Sequence, residues 1–190
     1  MQEAVPEGLG AMAAVLGLED AQVQEVCKEA AGEQIVSAAN YNSAGQVVIA
    51  GHKQAVERAL TLAKEAGAKR VILIPISVPS HCELMREAAD RLAPRLEQLS
   101  FSEAQIPIIQ NVDAQVRRSS SEIKQALIQQ LHQPVRWVES INSLKRVSET
   151  NIIEIGPGKV LSGLIRRIDT IFDIKNIDKI ADIEKIKNEL

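Results

Sequence analysis

The stretch Val71-Ile72-Leu73-Ile74-Pro75-Ile76-Ser77-Val78-Pro79-Ser80-His81-Cys82-Glu83-Leu84-Met85 decides how the chain is divided. Its first half is a short, nearly continuous apolar run, the pattern of a strand buried on both faces. Pro79-Ser80 breaks the run, and in the amphipathic segment that follows Met85, Ala88, Ala89, Leu92, Leu96 and Leu99 share one helical face. Ser80 is placed as the N-cap, with Glu83 three residues on in capping-box position. His81 therefore falls in the first turn of a helix, where the macrodipole disfavours an imidazolium and keeps the ring neutral, as a general base requires. A polar residue that merely starts a helix satisfies the same pattern, so position alone gives His81 no role.

Upstream, residues 9–16, 34–42 and 46–50 read as strands. A first helix is capped at Asp20, turns Val23, Val26, Cys27 and Ala30 inward, and closes at Gly32. A second follows Gly51, with Val56, Ala59, Leu60 and Ala63 inward and Gly67 at its end. With a last strand over 69–76, the order is β-α-β-β-α-β, and residues 9–77 form a ferredoxin-like unit.

Downstream, Pro94 predicts a kink or early end to the long helix. Residues 106–112 read as a strand, with Pro107 placing it at an edge or a beginning. A helix starts at Ser119, and the element after Pro134 has Trp137, Ile141 and Leu144 on one face. Residues 151–155 are a strand, Gly156-Pro157-Gly158 a tight turn into another helix, 174–177 a short strand and 181–190 a charged terminal helix. Isoleucines at 171, 174, 177, 180, 183 and 186 have a period of three, which spans two elements rather than one helix. Strand-helix alternation calls for a parallel sheet covered on both faces, yet these strands are too few to complete one. Residues 1–8 also read as the last turn of a helix with no body before it. Residues 78–190 are therefore expected to be part of a larger α/β domain.

Composition excludes several functions. The 190 residues are 45% hydrophobic and 25% charged, an ordinary globular balance, with a net charge of −3. That charge leaves no electrostatic footprint for nucleic acid, and at 2% aromatics there is no platform for stacked bases. Cys27 and Cys82 make neither a disulfide framework nor a zinc pair. The first residues lack a signal-peptide pattern, and no segment is long and apolar enough to span a membrane. A cytoplasmic protein without metal is expected.

Chemistry-bearing residues are sparse. Cys82 beside His81 is read as a small packed hydrophobe, because neighbours at a helix start point in different directions. His52 and His132 read as surface or capping residues at helix ends. Asn40 and Asn42 flank Tyr41 at a strand end, where local hydrogen bonding accounts for them. Gly156-Pro157-Gly158-Lys159 lacks the spacing of a phosphate loop. Residue types alone reach one candidate base and no nucleophile.

Six stretches in order carry a resemblance: MQEAVPEGLGAMAAVLGL, NYNSAGQVVIAGHKQAVE, SVPSHCELM, IPIIQNVDA, IKQALIQQLHQPVRW and EIGPGKVLSGLIRRI. They are similar to the C-terminal portion of the malonyl-CoA:acyl carrier protein transacylases of bacterial fatty acid synthesis. The resemblance implies a ferredoxin-like subdomain inserted in an α/β-hydrolase-like domain. It implies ping-pong malonyl transfer through a serine in a GHSxG elbow, with no resident cofactor and malonyl-CoA as substrate. Val78-Pro79-Ser80-His81 matches the motif of the family's base, which makes His81 the general base and Gln130 the residue whose main-chain carbonyl orients it. Asn40, Asn42 and Ser80 match positions near the substrate, Ser80 at a place that varies with acyl choice in related polyketide synthase domains. The family's carrier protein is acidic, which makes Lys69, Arg70, Arg166 and Arg167 candidates for steering it, against the plainer reading of solvated charges. The sequence contains no GHSxG, no GQGSQ segment and no match to the arginine that pairs with the malonyl carboxylate. A truncated member is expected, with the missing N-terminal portion as a further partner and apolar faces left open to association. The alternative is a non-catalytic carrier-binding or regulatory remnant.

Overall fold

A computed structural model describes residues 1–76, 78–146 and 150–187. Ser77, at the expected domain boundary, and residues 188–190 of the expected terminal helix lie outside the described residues. The chain forms two compact units, Met1–Ser140 and Ile141–Leu190.

In the first unit, β1 (Gly10–Leu16), α1 (Asp20–Ala31), β2 (Val36–Ser43), β3 (Gln46–His52), α2 (Lys53–Glu65) and β4 (Arg70–Ile74) follow one another. The strands pair antiparallel in the order β2-β3-β1-β4, the ferredoxin-like arrangement. Alternation along each strand separates two faces. Ala11, Ala13, Val15, Val47 and Ile49 meet Val23, Val26, Cys27, Ala55, Val56, Ala59 and Ala63 of the two helices. Small and β-branched side chains dominate this core, with Tyr41 partly buried against it, and let the helices lie close to the sheet. On the opposite face Met12, Val48 and Ala50 are covered by Cys82, so the chain after β4 folds back across the sheet.

Two local expectations shift by a residue or so. Glu19 rather than Asp20 is the N-cap of α1, with the Gln22 side chain accepting the Glu19 N–H at 3.0 Å. Gly51 lies inside β3, where a Cβ would stand 2.1 Å from the Ile35 carbonyl oxygen, and His52 is the N-cap of α2. The His52 Nδ1 accepts the Ile35 N–H at 3.0 Å, a structural use of that ring.

The opening stretch departs further from its reading. β4 is an edge strand, paired among the described residues with β1 alone, and Leu73 is 50% exposed rather than buried. Ser80 caps no helix. A single 3-10 turn, Glu83–Met85, starts after Cys82, and α3 (Arg86–Gln98) follows, running on past Pro94. In place of one strand over 106–112, the short β5 (Ile108–Ile109) pairs antiparallel with β6 (Val116–Arg117). α4 (Ser120–Gln130) has Ser119 at its N-cap, and α5 (Trp137–Arg146) follows. Between α4 and α5, Val135 joins the edge of β2: its N–H donates to Ala39 at 2.8 Å and its carbonyl accepts from Tyr41 at 2.9 Å.

In the second unit, β7 (Asn151–Ile155), α6 (Val160–Ile168) and β8 (Asp173–Ile177) form a parallel βαβ crossover, and α7 (Ile180–Lys187) follows. Among the described residues this parallel sheet has two strands. Of the isoleucine repeat, Ile174 and Ile177 lie in β8 and Ile180, Ile183 and Ile186 in α7, while Ile171 precedes β8. No described helix is long and apolar enough to cross a membrane.

Candidate functional site

The segment leading from β4 to α3 is tied down at successive residues. Pro79 is fully buried over Gly10, where the Cβ of any other residue would come within 2.5 Å of the proline ring. Cys82 is buried against Met12, Val48 and Ala50, and its thiol donates to the Pro79 carbonyl at 3.1 Å. Between these anchors His81 takes a left-handed φ of 64°. A non-glycine residue holds that conformation when its surroundings compel it. The His81 N–H donates to the Leu131 carbonyl at 3.0 Å, and its Nδ1 lies 2.7 Å from the Gln130 carbonyl oxygen.

A carbonyl can only accept, so the short contact places a proton on Nδ1, and in the neutral form of the ring the lone pair is then on Nε2. Among the described residues nothing bonds that Nε2. The expected helix dipole is not what governs the ring, because His81 precedes the 3-10 turn in a left-handed bend. The carbonyls at the C-terminal end of α4 govern it instead. Gln130 also donates from its side-chain amide to the Gln133 carbonyl at 3.2 Å, which tightens that turn.

Of the other sequence-predicted residues, Ser80 adjoins His81, with its N–H bonded to Val78 at 2.9 Å. Asn40 stands on β2 where Val135 pairs with it, which links it to the chain that leaves Gln130. Asn42 lies towards the β2–β3 hairpin. Lys69 and Arg70 are exposed at the start of β4, and Arg70 pairs with Leu16, the end of β1 far from Gly10 and Pro79. The structure therefore separates these two cations from His81 by the length of a strand. Arg166 and Arg167 are exposed in the last turn of α6, in the second unit.

Burial pushes the Cys82 thiol up to about 11 and the Cys27 thiol up to about 12, so both are protonated near neutrality and neither is an activated nucleophile. His132, read as a surface or capping residue, stands at the end of α4, where its N–H donates to the Gln129 carbonyl at 3.1 Å, but it is only 6% exposed. Its Nε2 lies 3.0 Å from Arg86, and Arg86 grips both oxygens of Glu83 at 2.8 and 3.0 Å. Burial and the Arg86 charge hold the His132 pKa below its ordinary value, against smaller opposing pulls from Glu83 and Asp90. The helical period had placed His132 only at a helix end, and nothing local marks it as covered.

Glu154 also escaped sequence reasoning. It accepts hydrogen bonds from Leu161 N–H (3.0 Å), Ser162 N–H (2.8 Å), Ser162 Oγ (2.5 Å) and Asn176 Nδ2 (2.8 Å). Burial pulls its pKa up, but these donors outweigh burial and hold the carboxyl below the usual range. The N-terminus of α6 after Gly156-Pro157-Gly158-Lys159 is thus filled by the chain's own carboxylate, in keeping with a structural turn rather than a phosphate loop. Among the described residues no group of three His, Cys, Asp or Glu side chains is placed to hold a metal ion.

Comparison with known proteins agrees with this architecture. The family model described as an acyl transferase domain matches residues 1–185. A malonyl CoA-acyl carrier protein transacylase of Escherichia coli (strain K12) is 52% identical over 172 residues, which cover 90% of this chain and 56% of the relative. The crystal structure of an acyl carrier protein S-malonyltransferase from Vibrio cholerae superposes with a TM-score of 0.95 at 49% identity, covering 98% of this chain and 61% of that one. A malonyl-transacylase solved in complex with a type II polyketide synthase acyl carrier protein superposes with a TM-score of 0.94 at 47% identity, with 98% and 61% covered. The chain therefore spans little more than half the length of these relatives. An α/β fold shared with these solved structures and a family match along nearly all its residues have one reading: this chain belongs to the acyl transferase domain family.

Proposed function

We propose that this chain carries the base-bearing part of an acyltransferase that moves a malonyl group from malonyl-CoA to the phosphopantetheine thiol of an acyl carrier protein. The observation that supports the reading most directly is the 2.7 Å contact between the His81 Nδ1 and the Gln130 carbonyl. It orients the imidazole so that Nε2 is the nitrogen available to accept a proton. In the reaction, the family's GHSxG serine attacks the thioester carbonyl and its proton passes to Nε2. The resulting imidazolium is held by Gln130, and the proton leaves with the coenzyme A thiol. The carrier thiol then gives its proton to Nε2 and takes the acyl group, and the proton returns to the serine.

In this proposal Asn40, Asn42 and Ser80 contact the acyl substrate. Lys69, Arg70, Arg166 and Arg167 meet the acidic carrier, residues 9–77 form the inserted subdomain and 78–190 belong to the larger domain. The setting is cytoplasmic and the enzyme needs no resident cofactor.

The test is malonyl transfer to holo-carrier protein, with this chain alone and with the serine-bearing N-terminal part of the Vibrio cholerae relative added. Transfer in the mixture that falls by about 10²–10⁴ in His81→Ala is the expected result. Transfer unaffected by that substitution, or none in any combination, overturns the reading and leaves the non-catalytic module.

A further inference from the structure

We infer that Arg86 and His132 are positioning residues for His81, bracing the turn whose carbonyl holds its ring; the inference rests on His81 acting as the proposed base. The turn at the C-terminal end of α4 presents two successive carbonyls to His81, Gln130 to its ring and Leu131 to its backbone N–H. The next residue, His132, is buried and points to the first residue of α3. Arg86 Nε and one terminal nitrogen bind the two Glu83 oxygens at 2.8 and 3.0 Å. That fork fixes the guanidinium plane and aims the remaining nitrogen at His132 Nε2, 3.0 Å away. Arginine can only donate, so His132 Nε2 accepts and the ring is neutral with its proton on Nδ1. That Nδ1 is buried without a hydrogen-bond partner, and the nearest Glu83 oxygen is 3.9 Å away.

A buried donor left unpaired is unfavourable, and the arrangement persists because the ring's other nitrogen is held. The same few residues thus join α3, the 3-10 turn and the end of α4 around His81. Without the brace, the turn keeps the packing of Leu131 against Val5, Met85 and Ala88 and the bonds to His81. Packing is non-directional, whereas the Arg86–His132 hydrogen bond fixes the direction of the residue next to the two carbonyls.

The chain has three histidines, so ring nitrogens are resolvable by long-range ¹H–¹⁵N correlation. The parent protein is expected to show His81 protonated at Nδ1. An unanchored histidine prefers its proton on Nε2, so His132→Phe, which keeps the ring volume but accepts nothing, is expected to move His81 towards that form and speed Nδ1–H exchange about tenfold. His132→Gln places an acceptor oxygen where Nε2 stood and is expected to restore the parent pattern. Arg86→Met should match His132→Phe; if it unfolds, the two His132 variants decide.

An unchanged His81 tautomer in His132→Phe overturns the inference, as does a Gln variant that behaves like the Phe variant, because packing alone then accounts for His132. If the ring responds while the parent mixed with the serine-bearing part transfers no malonyl group, the brace stands and the proposed function falls. If transfer occurs and the ring does not respond, the function stands and the brace falls.

Discussion

The ferredoxin-like sheet and the β7–β8 pair are built from similar apolar strands and end in opposite conditions. In the first, Ile49 and Val47 lie fully buried beneath α1 and α2, and antiparallel pairing completes four strands within about seventy residues. In the second, Glu154 turns towards α6, and on the other face of the strand Ile153 is 44% and Ile155 78% exposed. Hydrophobicity along a strand records that a face is to be covered but not what covers it. A hairpin-rich unit finds its cover in its own helices, whereas a parallel pair depends on further strands at its edges.

The largest test of this contrast is Ile49→Ala, which should cost about 2–5 kcal/mol in urea unfolding, because the buried cavity has no slack to collapse. An effect below about 1 kcal/mol would mean that the sheet is less closed than described. Gly51→Ala should cost about 3 kcal/mol, since its Cβ meets backbone rather than a movable side chain. Glu154→Gln should cost about 1 kcal/mol, as the charged cap of α6 is weakened.

That substitution also has a pH signature. With a folded pKa below the unfolded one, the unfolded state binds more protons as pH falls, so Glu154 stabilises the fold above its ordinary titration range. The contribution is lost as pH drops through the folded pKa, and the gap between parent and Gln variant should close in acid. Ile155→Lys is the smallest expected change in stability, within about 0.5 kcal/mol, but it should reduce self-association by light scattering. No change in association would show that the exposed isoleucines are not what makes copies adhere.

The order of elements and the helix faces were legible because each is written in local periodicity. Val23, Val26, Cys27 and Ala30 repeat at helical spacing and are all buried. The turn at Gly156 and Gly158 was legible for a similar reason, since both adopt positive φ. Val71 to Ile74 misled because an apolar run fits a central strand and an exposed edge strand equally well, and only pairing distinguishes them.

For the site, a motif resemblance singled out His81 and Gln130, forty-nine residues apart, and the geometry brings them to 2.7 Å. Local reasoning put His81 at a helix N-terminus and invoked the dipole, when the ring is held by a carbonyl from another element. Arg86 and His132 were invisible for the same physical reason: a contact across forty-six residues leaves no period in the sequence. Local propensity and hydrophobic spacing thus determined which segments are strands and helices and which faces they bury. Only the tertiary structure decided which strand lies at an edge, which nitrogen of His81 bears the proton and which histidine is buried, because each depends on long-range hydrogen bonds and burial.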